Sequence, residues 1–179
     1  MRALLIYESM FGNTRDVAQA VAAGLAGAAD VQIVDVGAAG QGVDAGVDLL
    51  VLGGPTHAFG MSRPATRADA HKQAGHTVTS LDVGVREWLE RLGPVPAGVA
   101  AATFDTRVTT GRVPGSAARA ARRRLARAGC RLPLPAETFY VEGTTGPLSV
   151  GEVDRAHDWG EQLGRAAAAT LGPTTATAG

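Results

Sequence analysis

The chain has 179 residues, the length of one domain with a full core. Hydrophobic residues make up 45% and charged residues 19%, and 24 glycines with Ala-rich runs point to small-residue packing and many tight turns. Lys+Arg and Asp+Glu both count 17, so the formal net charge is zero and no global field favours nucleic acid or an anionic membrane surface.

The first apolar run, Ala3 to Tyr7, is too short for a signal h-region, and no stretch approaches the roughly 18 apolar residues of a membrane span. The expectation is a cytoplasmic protein. That same run, ended by polar residues and Gly, reads as a strand buried on both faces of a parallel sheet. From Thr14, the residues Val17, Ala18, Val21, Ala22 and Leu25 recur at helical spacing. Val31 to Val36 alternates like an edge strand, and Asp48 to Gly53 is again a wholly apolar run. Between them, Gly37-Ala38-Ala39-Gly40-Gln41-Gly42 has the order GxxGxG after the wrong strand for a dinucleotide loop and reads as a flexible connection. The stretch from Met61 to Gly84 is longer than a strand-to-helix loop needs and reads as a local insertion.

Val85, Trp88, Leu89 and Leu92 form a helical stripe, Val99 to Phe104 a fourth strand, and Ser116 is placed to cap a helix over Ala117 to Ala128. Arg131 to Val141 holds the fifth strand, with Pro133 and Pro135 at its start. Ser149 with Glu152 is read as a capping box opening a last helix that buries Val153, Ala156, Gly160, Leu163 and Ala167. Residues 173–179 are small and polar and are expected to be a disordered tail to a single domain spanning 1–172. Five strands alternating with helices predict an α/β fold: a three-layer, doubly wound parallel sheet whose functional loops follow the carboxyl ends of the strands.

The loop after the first strand, Glu8-Ser9-Met10-Phe11-Gly12-Asn13-Thr14-Arg15, sets hydroxyl and amide side chains around a Gly and runs into a helix N-terminus. Free amide groups and the positive end of the helix dipole favour a phosphate there, with further donors from Ser9, Asn13 and Thr14. Without the Lys of a GxxxxGK[ST] loop, a monoester suits it better than a triphosphate. The same residues are also compatible with a capped helix and no ligand.

Ile6 to Thr14, followed by the Val17-Ala18-Val21 stripe, resembles the FMN phosphate signature of flavodoxins. After the third strand, Gly53-Gly54-Pro55-Thr56-His57-Ala58-Phe59-Gly60 is similar to the flavin-ring loop of flavodoxins and of the NAD(P)H-quinone reductases that share their fold. After the fourth, Thr103-Phe104-Asp105-Thr106-Arg107 falls where the third flavin loop of that family lies. The resemblance implies the flavodoxin-like strand order 2-1-3-4-5, FMN as cofactor, and cofactor contacts from Ser9, Met10, Phe11, Gly12, Asn13, Thr14, Pro55, Thr56, His57, Ala58, Phe59, Gly60, Thr103, Phe104, Asp105, Thr106 and Arg107. A phosphoacceptor receiver domain, the same topology with acidic residues after strands one and three, is excluded by Gly53-Gly54-Pro55.

Flavodoxins are acidic, whereas this chain is neutral and Arg-rich and lacks a Tyr or Trp after the fourth strand. An open flavin face, His57 beside the ring, and Arg63 and Arg67 near a nucleotide's phosphates would suit an oxidoreductase passing electrons from NAD(P)H to a quinone or similar acceptor. A one-electron carrier with a protein redox partner, and a flavodoxin-like domain with no flavin, are the other readings. His57 is expected either to tune the flavin by a hydrogen bond or to turn outward as a spectator. An oligomer is compatible with each of these.

His71 and His76 are five apart, not the i, i+4 spacing of a helical metal pair, and no metal is expected. Arg119, Arg122, Arg123, Arg124 and Arg127 read as a solvated helix face or a partner-docking patch, Trp88 and Trp159 as core, and the lone Cys130 as a small buried hydrophobe. Phe59, at a loop tip beside Gly60, has little to bury against unless a flat ligand is present.

Overall fold

A computed structural model describes residues 1–57, 60–74, 83–109 and 114–172. In chain order the elements are β1 (Arg2–Tyr7), α1 (Asn13–Leu25), β2 (Asp30–Asp35), β3 (Leu49–His57), β4 (Gly60–Met61), α2 (Pro64–Ala74), α3 (Val85–Arg91), β5 (Ala100–Val108), α4 (Ala117–Arg127), β6 (Glu137–Val141) and α5 (Glu152–Leu171).

Five strands form a parallel sheet in the order β2-β1-β3-β5-β6, which is the predicted 2-1-3-4-5 once the two-residue β4 is set aside. β4 pairs antiparallel with the far end of β3, Thr56 opposite Met61 and His57 opposite Gly60. Because successive side chains alternate across a strand, the apolar runs divide between two cores. Ala3, Leu5, Leu49, Val51, Ala100 and Ala102 face α1 and α5, while Ile6, Leu50, Leu52 and Ala101 face α3 and α4. On the first face Phe104, Phe139 and Trp159 meet edge to face with centroids 5.9 to 6.2 Å apart. Helices α1 and α5 approach so closely that a Cβ on Gly24 would lie 2.1 Å from the His157 carbonyl oxygen, and one on Gly160 2.3 Å from that of Val21.

The expected stripe of α1 is buried throughout, as are Trp88, Trp159 and Cys130, and Ser116 caps α4 by accepting the Arg119 amide. Three expectations are corrected. The last strand is shorter than Arg131–Val141: Pro133 and Pro135 supply no amide to a ladder, so Arg131 makes only an isolated bridge to Ala100 and pairing resumes at Glu137. Ser149 and Glu152 do not form a capping box, since Gly151 is the N-cap of α5. The Glu152 carboxylate instead accepts the Tyr140 amide at 2.8 Å and pairs with Arg155 at 2.6 Å, while Val153 is exposed. The stretch after Met61, expected as a local insertion, contains α2. The tail from Pro173 onward lies outside the described residues. No helix among the described residues is long and apolar enough to cross a membrane, and none of their His, Cys, Asp and Glu side chains group in threes that could hold a metal ion.

Candidate functional site

The first loop ends in a turn that only Gly adopts easily: Gly12, the N-cap of α1, has φ 93°. The Ser9 hydroxyl stands beneath that turn and accepts the amides of Gly12 at 3.1 Å and Arg15 at 3.3 Å. The helical ladder begins with the Asp16 amide on the Gly12 carbonyl at 3.0 Å, which leaves the amides of Asn13 and Thr14 ahead of it at the positive end of the helix. Asn13 donates from Nδ2 to the Thr145 carbonyl at 3.0 Å and ties the loop to the segment after β6. The Thr14 hydroxyl lies 2.8 Å from that of Thr106 near the end of β5, with both groups buried.

Above this turn opens a cleft lined by Met10, Phe11, Asn13 and Thr14 from the first loop, Pro55, Thr56 and His57 from β3, and Thr106, Arg107 and Val108 from β5. Val141 and Thr144, at and beyond the end of β6, complete it. The parallel sheet explains the convergence: β1, β3, β5 and β6 all end on the same edge, so four loops far apart in sequence meet there. Nine of the residues singled out in the sequence therefore line one cleft. Ser9 and Gly12 shape the turn beside it, and Gly60 pairs with His57 across β3 and β4.

Three others lie underneath rather than in the cleft. Thr103 and Phe104 are fully buried, Thr103 donating to the Ala118 carbonyl at 3.0 Å and Phe104 filling the aromatic core. Asp105, 0% exposed, accepts from Thr56 Oγ1 at 2.8 Å, Ser116 Oγ at 2.6 Å, Thr138 Oγ1 at 2.8 Å and the Ala118 amide at 3.0 Å. It braces β3, α4 and β6 behind the cleft and presents no carboxylate to it. Ala58 and Phe59 fall outside the described residues.

Arg67, expected near a nucleotide's phosphates, lies inside the fold. Its guanidinium is 0% exposed, 3.0 Å from Glu87 Oε2 and 2.9 Å from Ser62 Oγ, so it is sealed from solvent and from any nucleotide there. Arg63, at the start of α2, is exposed, its backbone amide donating to the Thr66 hydroxyl at 2.8 Å.

The sequence reading passed over Val108, Val141 and Thr144, which have no motif, although the rule that sites lie beyond strand ends pointed to the segment after the last strand. It also gave no role to Glu8. That carboxylate is 1% exposed, its Oε2 accepts the Val85 amide at 2.9 Å, and its Oε1 has no hydrogen-bond partner among the described residues. Burial pushes its pKa up against the smaller opposing pull of the Ser62 and Val85 hydrogen bonds and the Arg67 charge. His57 is shifted the other way: burial, then the Arg67 cation, hold its pKa below the ordinary histidine value, so the imidazole is kept neutral rather than cationic.

The cleft and sheet define a flavodoxin-like α/β architecture. Comparison with solved structures agrees: a flavodoxin from the domain Archaea superposes with a TM-score of 0.63 at 16% identity, covering 93% of this chain and 99% of that one. Oxidised flavodoxin 1 from Bacillus cereus gives 0.61 at 16% identity over 93% and 97% of the two chains. The flavodiiron core Flv1 from Synechocystis gives 0.59 at 16% identity, this chain spanning 36% of that longer one. At these identities the likeness is one of fold. At the sequence level no family model and no curated protein matches.

Proposed function

We propose that the chain binds FMN in this cleft and is a flavin electron-transfer protein. The observation that carries the reading is the donor set. Hydroxyl and amide groups of Thr14 and Asn13, with the free end of α1, make one part of a cleft whose other lining residues are the apolar Met10, Phe11, Pro55, Val108 and Val141 and the polar Thr56, His57, Thr106, Arg107 and Thr144, and none of the described residues lining it is a carboxylate. A phosphate monoester fits the first part and a flat, largely apolar ring the second. When bound, FMN would supply reversible one- or two-electron chemistry. The chain's own residues do the rest: the first turn of α1 holds the phosphate, Thr56 is fixed by Asp105 and the Ala117 amide, and the neutral His57 can present a single N–H toward the ring where negative charge develops on reduction. The flavin spectrum of the purified protein tests this, together with titration of stripped protein by FMN and by riboflavin. FMN bound far more tightly than riboflavin supports the assignment; equal affinity overturns it.

Of the two uses expected for the flavin, the burial of Arg67 favours the carrier, because nucleotide recognition rested on that residue as well as on Arg63. The oxidoreductase reading, electrons passing from NAD(P)H to a quinone, is favoured by the β6 side of the cleft, where Val108, Val141 and Thr144 set no aromatic ring over the site. Steady-state NADPH oxidation with a quinone separates them, turnover supporting the enzyme and its absence the carrier.

A further inference from the structure

Helix α4 contains five arginines and no acidic residue. Two of them serve the fold: Arg122 donates to the Leu134 carbonyl, and Arg124 bonds Glu90 at 3.2 Å and the Arg86 carbonyl at 3.2 Å. The other three, Arg119, Arg123 and Arg127, are exposed, and their side chains meet no carboxylate among the described residues. Their i, i+4, i+8 spacing stacks them on one line over about 12 Å of helix. Like charges at that spacing repel, so the stripe weakens the helix that carries it. Nothing in the packing accounts for it, since the buried side of α4 is made by Ala117, Ala118, Ala121 and Leu125.

The stripe has a definite position. The Ala117 amide, at the first turn of α4, donates to Thr56 Oγ1 at 2.9 Å, and Thr56 lines the cleft. Arg107, also a cleft residue, donates to the Gly115 carbonyl just ahead of the helix. A line of guanidinium groups thus leads away from the rim of the cleft. The chain as a whole has no net charge, so this is a local patch. A polyanion such as DNA is held by a positive field over many phosphates, whereas one short stripe matches the acidic patch of a partner of similar size.

We propose that the exposed face of α4 formed by Arg119, Arg123 and Arg127 docks an acidic redox protein beside the cleft. The proposal rests on the flavin reading for its purpose but not for its contact. A plant-type ferredoxin, small and strongly acidic, is the probe. Its association with the protein as purified, followed by calorimetry at low and high salt, reads the contact whether or not flavin is bound, while electron transfer from the reduced ferredoxin reads its consequence. The parent is expected to bind ferredoxin at low salt and lose it as salt rises. R119E/R123E/R127E is expected to weaken association about tenfold or more and abolish its salt dependence, and R119Q/R123Q/R127Q to lie between, with flavin content unchanged in both and the Tm of the Gln variant at or above that of the parent, since it relieves the repulsion along the helix. Should the parent fail to bind at low salt, or the charge-reversed protein bind equally well, the docking surface is wrong. It is equally wrong if the variants lose affinity for a double-stranded DNA oligonucleotide while ferredoxin binding is untouched. A protein that takes up no FMN on titration yet binds ferredoxin through these arginines would overturn the proposed function and leave the surface standing.

Discussion

The hydroxyls of Thr14 and Thr106 lie 2.8 Å apart in the buried corner where the first turn of α1 meets the end of β5. Each hydroxyl can donate once, so while one donates to the other, the second is available to an anion above it. In the proposed FMN complex this corner, with Asn13 at the same turn, is the main source of affinity. Thr14→Ala is expected to weaken FMN binding by about 1.5–3 kcal/mol, a charge-assisted hydrogen bond, and Thr14→Ala with Asn13→Ala to release the cofactor on dialysis. Fluorescence titration measures the first and flavin absorbance the second. A double variant that keeps its flavin through dialysis would show that the phosphate lies elsewhere.

Asp105 gathers four donors from three elements into a site closed to water. Asp105→Ala orphans them together and is expected to lower the free energy of unfolding by about 3 kcal/mol or more, read from urea denaturation. Asp105→Asn keeps the shape but turns an amide toward hydroxyl donors, and should recover only part of the loss. Both should also weaken FMN binding, because Thr56 loses the carboxylate that orients it. An unchanged unfolding midpoint in Asp105→Ala would deny the network its structural role.

Glu8 has its folded pKa raised, chiefly by burial. The fold therefore prefers the protonated acid: the stabilisation is fully present below the ordinary carboxylate pKa and is lost as pH rises through the raised folded value. Glu8→Gln, neutral at every pH, removes that loss. Its Tm should equal or fall below that of the parent in acid and exceed it at neutral pH. Parallel Tm–pH curves for the two proteins would mean that the Glu8 carboxyl has the same pKa in the folded and the unfolded chain.

His57 runs in the opposite sense, its folded pKa lowered first by burial and then by Arg67. The neutral imidazole is the form the fold prefers, so its contribution is present above the ordinary histidine pKa and lost as pH falls through the lowered value. NMR titration of the ring should give a midpoint below that of a free histidine, and His57→Gln should flatten the acid side of the stability profile. With FMN bound, His57→Ala is expected to lower the two-electron potential by removing a donor from the ring. A potential identical to the parent would make position 57 a spectator.

The periodicity of the chain determined its layers, and the likeness of its loops to those of flavodoxins implied the strand order that the sheet shows. Wholly apolar runs at Ala3–Tyr7 and Leu49–Gly53 are what a strand buried on both faces of a parallel sheet requires, and the Val17–Leu25 stripe is what a helix packed on that sheet requires. The turn at Ser9–Thr14 was legible for the same local reason: Gly and short polar side chains mark a helix start whose leading amides face outward, a pattern shared by an anion site and a helix capped without a ligand. What the sequence could not determine was which neighbours each polar group meets. Phe104 and Asp105 stand in the expected loop, yet strand alternation and the bonds to Thr56, Ser116 and Thr138 turn them away from the cleft. Arg67, four residues beyond Arg63, looks equally solvated in sequence, but in the fold Glu87 and Ser62 enclose it. Glu8 becomes a buried acid only because α3 starts above it, and Val141 and Thr144 reach the cleft only because β6 ends beside β5. Local propensity and period are properties of a few successive residues; burial and pairing are set by contacts between residues tens of positions apart, and those exist only once the sheet has formed.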